Sequence, residues 1–230
     1  MSGLLELAYP PSCTACGEVL DGEAPFCDAC RTDVHALPGE GCSVCSEPGR
    51  FPRGLCPRCT LRPPPFARAW APFVHEGAIA RAIHQFKYED HPELAVPLGS
   101  LLASRAAEFL RAAQGELCAI PLHASRYRER RYDQAHLLAA ALGRAAGRGT
   151  LERALLRVRA TKRQVGLDES SREQNLAGAF VASGEVSGRA LVLVDDVFTT
   201  GATARAAASA LLEAGAAELR VLTLARAFTP

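Results

Sequence analysis

Residues 191–203 read LVLVDDVFTTGAT, and this order of residue types limits the possible fold more than any other stretch of the chain. Leu191–Val194 is short, apolar and rich in Val. That suits a strand covered on both faces, as in a parallel sheet. Asp195 and Asp196 are expected to end the strand. Thr199 to Thr203 are small, hydroxyl-bearing or glycine, and a helix is expected from about Ala202 until Gly215 stops it. A turn of this kind offers backbone N–H groups and threonine hydroxyls at a helix N-terminus, which attracts a phosphate. The two acids repel a phosphate but accept hydrogen bonds from sugar hydroxyls. Carboxylates for hydroxyls beside amides for a phosphate fit a ribose 5-phosphate. The plain alternative is a strand ending in two solvated acids before an ordinary capped helix. The Gly-Lys-Ser/Thr ending of a Walker A loop is absent.

Around this motif, apolar segments alternate with helical ones. A short strand is expected at Trp70–His75, a helix at Ala78–Tyr88, and mostly helix from Pro92 to Ala113 with a break near Pro97. Leu117–Leu122 reads as a strand, Gln134–Ala146 as a helix, Ser170–Gly178 as a short helix or turn, and Glu218–Leu224 as a last strand. Alternation of this kind indicates an α/β fold with a mainly parallel sheet, whose ligands sit at the carboxyl ends of strands. Both DDVFTTGAT and HASRYRERRYDQA follow such ends. The stretch LLRVRATKRQVGLDESSREQNLAGAF is polar and charged, and reads as either a mobile loop or a solvated connection.

The N-terminal part obeys a different rule. Cys13/Cys16, Cys27/Cys30, Cys42/Cys45 and Cys56/Cys59 form four C-x-x-C pairs at nearly even intervals. Disulfides are disfavoured in a cytosol, so these pairs read as thiolate knuckles for two structural Zn²⁺ ions in closed four-cysteine sites. Spacing leaves sequential and crosswise pairing open; the sequential sets are expected. A thioredoxin-like redox role lacks its βαβ frame, and four thiolates leave no open position for catalytic zinc. The region is rich in Pro and Gly, so metal is expected to supply folding energy. Cys118, within ELCAIPL, reads as a buried small hydrophobe. Three prolines in LRPPPFARAW suggest a stiff connector, which divides the chain into residues 1–64 and 65–230.

Composition narrows the function. The chain has 230 residues, 48% of them hydrophobic, enough for a sizeable core. No apolar run reaches the roughly 18 residues of a membrane span. MSGLLELAYPPSC lacks the features of a signal peptide, so a cytoplasmic protein is expected. Nearly every cation is Arg; only Lys87 and Lys162 are lysine. Pro121 to Arg163 holds ten Arg and one Lys against three acids, a net +8, whereas the first seventy residues have six Arg against eight acids. Closed zinc–thiolate sites make that first region more acidic still, which favours an adaptor or a hood over a nucleic-acid grip.

Taken together these pieces resemble one family. LVLVDDVFTTGAT is similar to the phosphoribosyl-pyrophosphate motif of type I phosphoribosyltransferases. The cysteine ribbon, IHQFKYED, IPLHASRYRERRYDQA, RATKRQVGLDESSREQNLAGAF and the DD-TTGAT loop, in that order, resemble the ComF (ComFC) competence-protein family over nearly the whole chain. The resemblance implies that Asp195 and Asp196 bind ribose hydroxyls and that Thr199, Thr200, Gly201, Ala202 and Thr203 wrap the 5-phosphate. It places Leu122, His123 and Arg126 at the pyrophosphate, with Arg130 and Gln134 in the same motif. Thr161, Lys162, Gln164, Arg172 and Asn175 match a loop that closes over the site, with Lys162 acting electrostatically. Lys87 and Tyr88 match a KY element without an assigned role. Arg131 and Asp133 depart from the glycine and asparagine usual there. Mg²⁺ would accompany phosphoribosyl pyrophosphate. The family further implies handling of single-stranded DNA, beside a competence DNA helicase and recombination mediators. Arg126, Arg128, Arg130 and Arg131, with Tyr127 and Tyr132 interleaved, suit a single-strand groove. The same arginines equally suit pyrophosphate and a solvated surface. An active transferase on a nucleobase or other small acceptor is the alternative, although no base pocket is legible.

Overall fold

The computed structural model describes residues 10–22, 24–160 and 176–228. Helices α1 (Asp28–Thr32) and α2 (Pro57–Leu61) lie among the cysteines. Then follow β1 (Arg68–Trp70), β2 (Phe73–Val74), α3 (Gly77–Tyr88), α4 (Ala95–Arg105), α5 (Ala107–Ala112), β3 (Glu116–Ala119), α6 (Ala124–Arg130) and α7 (Gln134–Ala146). The chain continues with β4 (Leu155–Arg157), β5 (Phe180–Ala182), β6 (Ala190–Phe198), α8 (Ala202–Glu213) and β7 (Glu218–Arg226). The main sheet has the order β1-β7-β6-β3, β2 also pairs with β7, and every pairing is parallel. β4 and β5 form a separate antiparallel pair. The α/β class with a mainly parallel sheet is therefore present.

Most of β6 and β7 is buried, as central strands of a sheet covered on both faces must be. Alternate residues of β6 join opposite cores. Val192 and Val194 pack with α3, α4, α5 and α7, whereas Leu191 and Leu193 pack with α8, Phe180 and Cys118. The helices approach closely because their contact residues are small. A side chain at Gly99 in α4 would place its Cβ 2.5 Å from that of Ala141 in α7.

Each cysteine cluster belongs to one of these cores. Cys13, Cys27 and Cys30 pack with the α3 side, and Cys42, Cys45, Cys56 and Cys59 with the α8 side. The ribbon therefore touches both faces of the sheet.

Several boundaries differ from expectation. β6 does not end at Val194; its ladder with β7 continues to the pair Phe198–Arg226. The Trp70–His75 strand is split at Ala71–Pro72 into β1 and β2. α4 passes through Pro97 without breaking, because Pro97 sits in its first turn, where an N–H has no acceptor within the helix. The interruption comes instead at Ala106. β3 stops at Ala119, ahead of Pro121, which cannot donate to a ladder. Of the helix or turn expected at 170–178, residues 170–175 lie outside the described ones. Among the described residues no helix is long and apolar enough to cross a membrane.

Arg131 closes α6 with φ 66°, ψ −11°, a left-handed conformation that a side chain disfavours. Its guanidinium stands 3.7 Å from Asp90 on the open surface, a contact of little worth. Arg131→Gly should stabilise the fold by about 1 kcal/mol, read as a higher urea midpoint at unchanged slope.

Candidate functional site

Because β6 continues through both acids, Asp195 and Asp196 point to opposite faces of the sheet. Asp196 follows Val192 and Val194 toward α3 and α7. Lys87, in the last turn of α3, places Nζ 2.6 Å from Asp196 Oδ1. Gln134, the first residue of α7, donates from Nε2 to Asp196 Oδ2 at 3.2 Å. Asp196 is only 4% exposed, so it takes both partners within the protein. His75 is held below the ordinary histidine range, first by burial and then by Lys87, with Asp196 acting in opposition.

Asp195 follows Leu191 and Leu193 to the other face. Its Oδ1 accepts from the Asp196 backbone N–H at 2.8 Å. Burial, and next the charge of Asp196, push its carboxyl up to about 8, against the pull of Lys87. Arg157, at the end of β4, stacks on Phe180 with its guanidinium carbon 5.3 Å from the ring centroid. Burial lowers the Arg157 pKa, Asp195 raises it, and Arg126 and Asp133 act more weakly. These four side chains thus share one electrostatic neighbourhood.

The loop that follows is tightly formed. Gly201 has φ 81° and stands at the N-terminus of α8, and a Cβ there would meet the Phe198 ring at 2.6 Å. Thr200 is buried and its Oγ1 accepts from Ala202 N–H at 3.4 Å. Thr199 is exposed, and Thr203 is half-buried in the first turn of α8. The first N–H groups of α8 lack intrahelical acceptors and face the loop, so the arrangement can take an anion.

At the expected pyrophosphate position, Leu122 N–H donates to Asp133 Oδ2 at 2.7 Å, and His136 N–H to Asp133 Oδ1 at 3.1 Å. Asp133 therefore caps α7 and also occupies the Leu122 amide. His123 caps α6, its Nδ1 accepting from Ser125 N–H at 3.2 Å. The structure brings Asp195, Asp196, Gln134, Arg126 and the 199–203 loop to one end of the sheet. Lys162, with Thr161, Gln164, Arg172 and Asn175, lies outside the described residues.

The arginines of the basic stretch do not all serve one surface. Arg128 and Arg131 are exposed, and Arg130 covers the Tyr88 ring at 4.6 Å. Lys87, Tyr88, Asp90, Glu129, Arg130 and Arg131 line a cleft of ≈ 270 Å³. Arg148 instead donates to the carbonyls of Ala113 and Gly115, both at 2.8 Å. Tyr127 is exposed, but Tyr132 donates to the Phe86 carbonyl at 2.6 Å and packs in the core. Tyr132 is thus structural, and Tyr88 takes the exposed position expected of it. Lys87, Arg157 and Tyr88 are functional candidates that the sequence reading left without a role. The sparing use of lysine was a signal for Lys87; Arg157 had none.

Cys13, Cys16, Cys27 and Cys30 form one cluster, and Cys42, Cys45, Cys56 and Cys59 the other, which is the sequential pairing. Within each, the sulfurs all lie within 4.8 Å of one another. The Cys16–Cys27 and Cys45–Cys56 sulfurs are 3.8 Å and 3.6 Å apart. A tetrahedral ion with Zn–S of about 2.3 Å spaces its sulfurs about 3.8 Å apart, so both clusters fit structural zinc. Cys118 stands apart, its thiol pushed up to about 12 by burial, as suits an inert core residue.

Comparison with known proteins agrees with both halves of this description. A double zinc ribbon domain matches residues 4–66, and a phosphoribosyl transferase domain matches residues 135–228. The DNA utilization protein YhgH of Escherichia coli K12 is 34% identical over 87% of this chain and 96% of its own length. Competence protein F of Haemophilus influenzae is 30% identical, covering 88% of this chain and 90% of that protein. Competence protein ComFC of Bacillus subtilis is 26% identical over 90% and 87%. Among solved structures, the glutamine phosphoribosylpyrophosphate amidotransferase of B. subtilis overlaps 60% of this chain and 30% of its own, with 23% identity and TM-score 0.41.

Two outcomes are expected. Asp195 binds its proton more tightly folded than unfolded, so its destabilising effect is absent below about pH 4 and complete above about pH 8. Asp195→Asn should therefore raise stability at pH 8.5 by at least about 1 kcal/mol and leave it nearly unchanged at about pH 4; urea unfolding at both pH values measures this. Chelating the metal should lower the melting temperature of the whole chain in calorimetry, because each cluster lies in a core shared with the sheet. A main transition untouched by the chelator would contradict this.

Proposed function

Since this chain belongs to the ComF family of competence and DNA utilization proteins, we propose that it serves in DNA uptake, handling incoming single-stranded DNA in the cytosol beside a pocket for phosphoribosyl pyrophosphate. The observation that carries this reading is the pair of adjacent acids, one held by Lys87 and Gln134, directly before the Thr199–Thr203 loop. In this reading Asp195, which lines one recess with Thr199, Gly201 and Thr203, accepts the ribose hydroxyls, Asp196 supports the strand end from the opposite face, held by Lys87 and Gln134, and the loop holds the 5-phosphate through N–H groups and hydroxyls. Lys87 balances the Asp196 charge, so the ribose meets a site that is less negative than two free acids. Arg126 and the Leu122–His123 turn serve the pyrophosphate, and Lys162, by the family resemblance, adds positive charge to it. Mg²⁺ would be held chiefly by the diphosphate oxygens and would neutralise their charge. The ribbon of residues 1–64 carries two zinc ions, and the pocket belongs to residues 65–230.

The DNA-facing edge is α6. Arg128, Arg130 and Arg131 offer charge to phosphates, and the exposed rings of Tyr88 and Tyr127 offer faces for bases. A competence helicase and recombination mediators are the protein partners that fit this role. One observation favours a second reading, transfer of the phosphoribosyl group to a small acceptor. The Asp195 carboxyl lines a recess with Thr199, Gly201 and Thr203, and burial and the Asp196 charge raise its pKa, which suits proton transfer near neutral pH.

Calorimetric titration with phosphoribosyl pyrophosphate and Mg²⁺ tests the pocket. The unaltered chain should bind, and Asp195→Asn/Asp196→Asn should weaken binding by tenfold or more, roughly one charged hydrogen bond's worth. An oligo-dT titration over a salt series tests the edge. Arg128→Ala/Arg131→Ala should weaken binding and flatten the salt slope by about 1–2. No response to either ligand would refute the proposal, and pyrophosphate release with one acceptor from a nucleobase panel would establish the second reading.

A further inference from the structure

Arg58 stands between Cys56 and Cys59 in the second cluster, on α2. Its Nη1 donates to the backbone carbonyl of Thr200 at 3.2 Å, a contact between residues 142 positions apart. The described peptide bonds are all trans. In a planar trans peptide the Thr200 carbonyl and the Gly201 N–H point in opposite directions. Holding that carbonyl from the ribbon side therefore aims the Gly201 N–H away from the ribbon. Gly201, with φ 81°, leads directly into α8.

A second contact grips the other end of the loop. Arg226, 2% exposed, pairs with Glu47, which lies two residues beyond Cys45. Its guanidinium carbon also lies 4.9 Å from the Phe198 ring centroid. Phe198 directly precedes Thr199, and its ring is the group that a Cβ at Gly201 would strike. The four cysteines of this cluster share their core with Phe198 and Ala202. Contacts from the second cluster thus hold the Thr200 carbonyl on one side of Thr199 and, through Arg226, the Phe198 ring on the other.

We propose that Arg58 is a positioning residue for the Thr199–Thr203 loop, and that the second four-cysteine cluster, by fixing Arg58, sets the affinity of that loop for an anion. This rests on the phosphate-binding reading of the loop. The first cluster acts on a different element. Arg81 of α3 reaches Cys30 Sγ at 3.7 Å and Asp33 at 2.8 Å, and Gln85 donates to the Ala15 carbonyl at 3.1 Å.

The test uses the full, metal-loaded chain with Arg58→Ala, Arg58→Lys and Arg81→Ala. Hydrogen exchange is followed at residues 202–206, where the Arg205 N–H to Gly201 carbonyl bond closes the first turn of α8. Affinity for phosphoribosyl pyrophosphate with Mg²⁺ is measured beside it. Arg58→Ala should speed exchange there by about tenfold and weaken the ligand by a similar factor, the scale of one charged hydrogen bond. Arg58→Lys should restore part of both, since it keeps one donor, and Arg81→Ala should leave exchange at 202–206 unchanged. If the unaltered chain binds no ligand, the phosphate reading fails, and exchange still decides whether Arg58 holds the loop. Should Arg58→Ala lose its metal, Arg58→Lys against the unaltered chain decides. Exchange at 202–206 that matches the unaltered chain in every metal-loaded Arg58 variant overturns the proposal, and so does equal acceleration by Arg81→Ala.

Discussion

A carboxylate almost closed off from water needs a cation beside it, and Asp196 has Lys87 at 2.6 Å. Removing one partner of such a pair costs about 3–5 kcal/mol, because the other is left charged and buried. That requirement spreads outward. Lys87 lies at the end of α3, so α3 must dock with its last turn against the end of β6. The start of α3 is tied to the ribbon by the Ala78 N–H to Asp33 carbonyl bond, and its middle by Gln85 to Ala15. The first cysteine cluster, the helix and the centre of the sheet therefore form one mechanical chain.

Much of this was legible in the sequence, and the parts that were not share a physical cause. The β6 strand, α3, α7 and α8 announced themselves through apolar period, alanine content and glycine stops, all of them local signals. The sequential cysteine clusters followed the same local logic. The strand beyond Val194 was missed because acids disfavour a strand locally, whereas here the β7 ladder and the partners of Asp196 hold it extended. Pro97 signals a break when taken alone, and its place in the first turn makes it harmless. Lys87, Arg157 and Arg58 gain their meaning only from residues far away in sequence, and no window of residues shows such pairings.

The ribbon was expected to act as an adaptor or hood, on the ground that its charge repels nucleic acid. Its contacts show a further role within the fold. One cluster backs the face that Asp196 addresses, and the other backs the face of Asp195 and the loop. Two acids adjacent in sequence are separated by the pleat of a strand, and each side of the sheet has its own support. The +8 stretch is divided in a comparable way. Arg148 closes carbonyls near β3, Arg126 belongs to the neighbourhood of Asp195, and α6 with its cap carries Arg128 and Arg131 outward.

The outer border of the sheet holds one more consequence. A parallel sheet leaves its last strand with open N–H and C=O groups, which recruit other chains. Here that border is the split β1–β2 segment, and the ribbon covers part of it. Ala36 bridges Phe73 in antiparallel fashion, Val74 N–H reaches the His35 carbonyl at 3.0 Å, and Leu37 N–H reaches the Pro72 carbonyl at 2.8 Å. The ribbon thus caps part of that border, and a chain whose knuckles came apart would uncover these backbone groups, the kind of open strand on which other copies can pair.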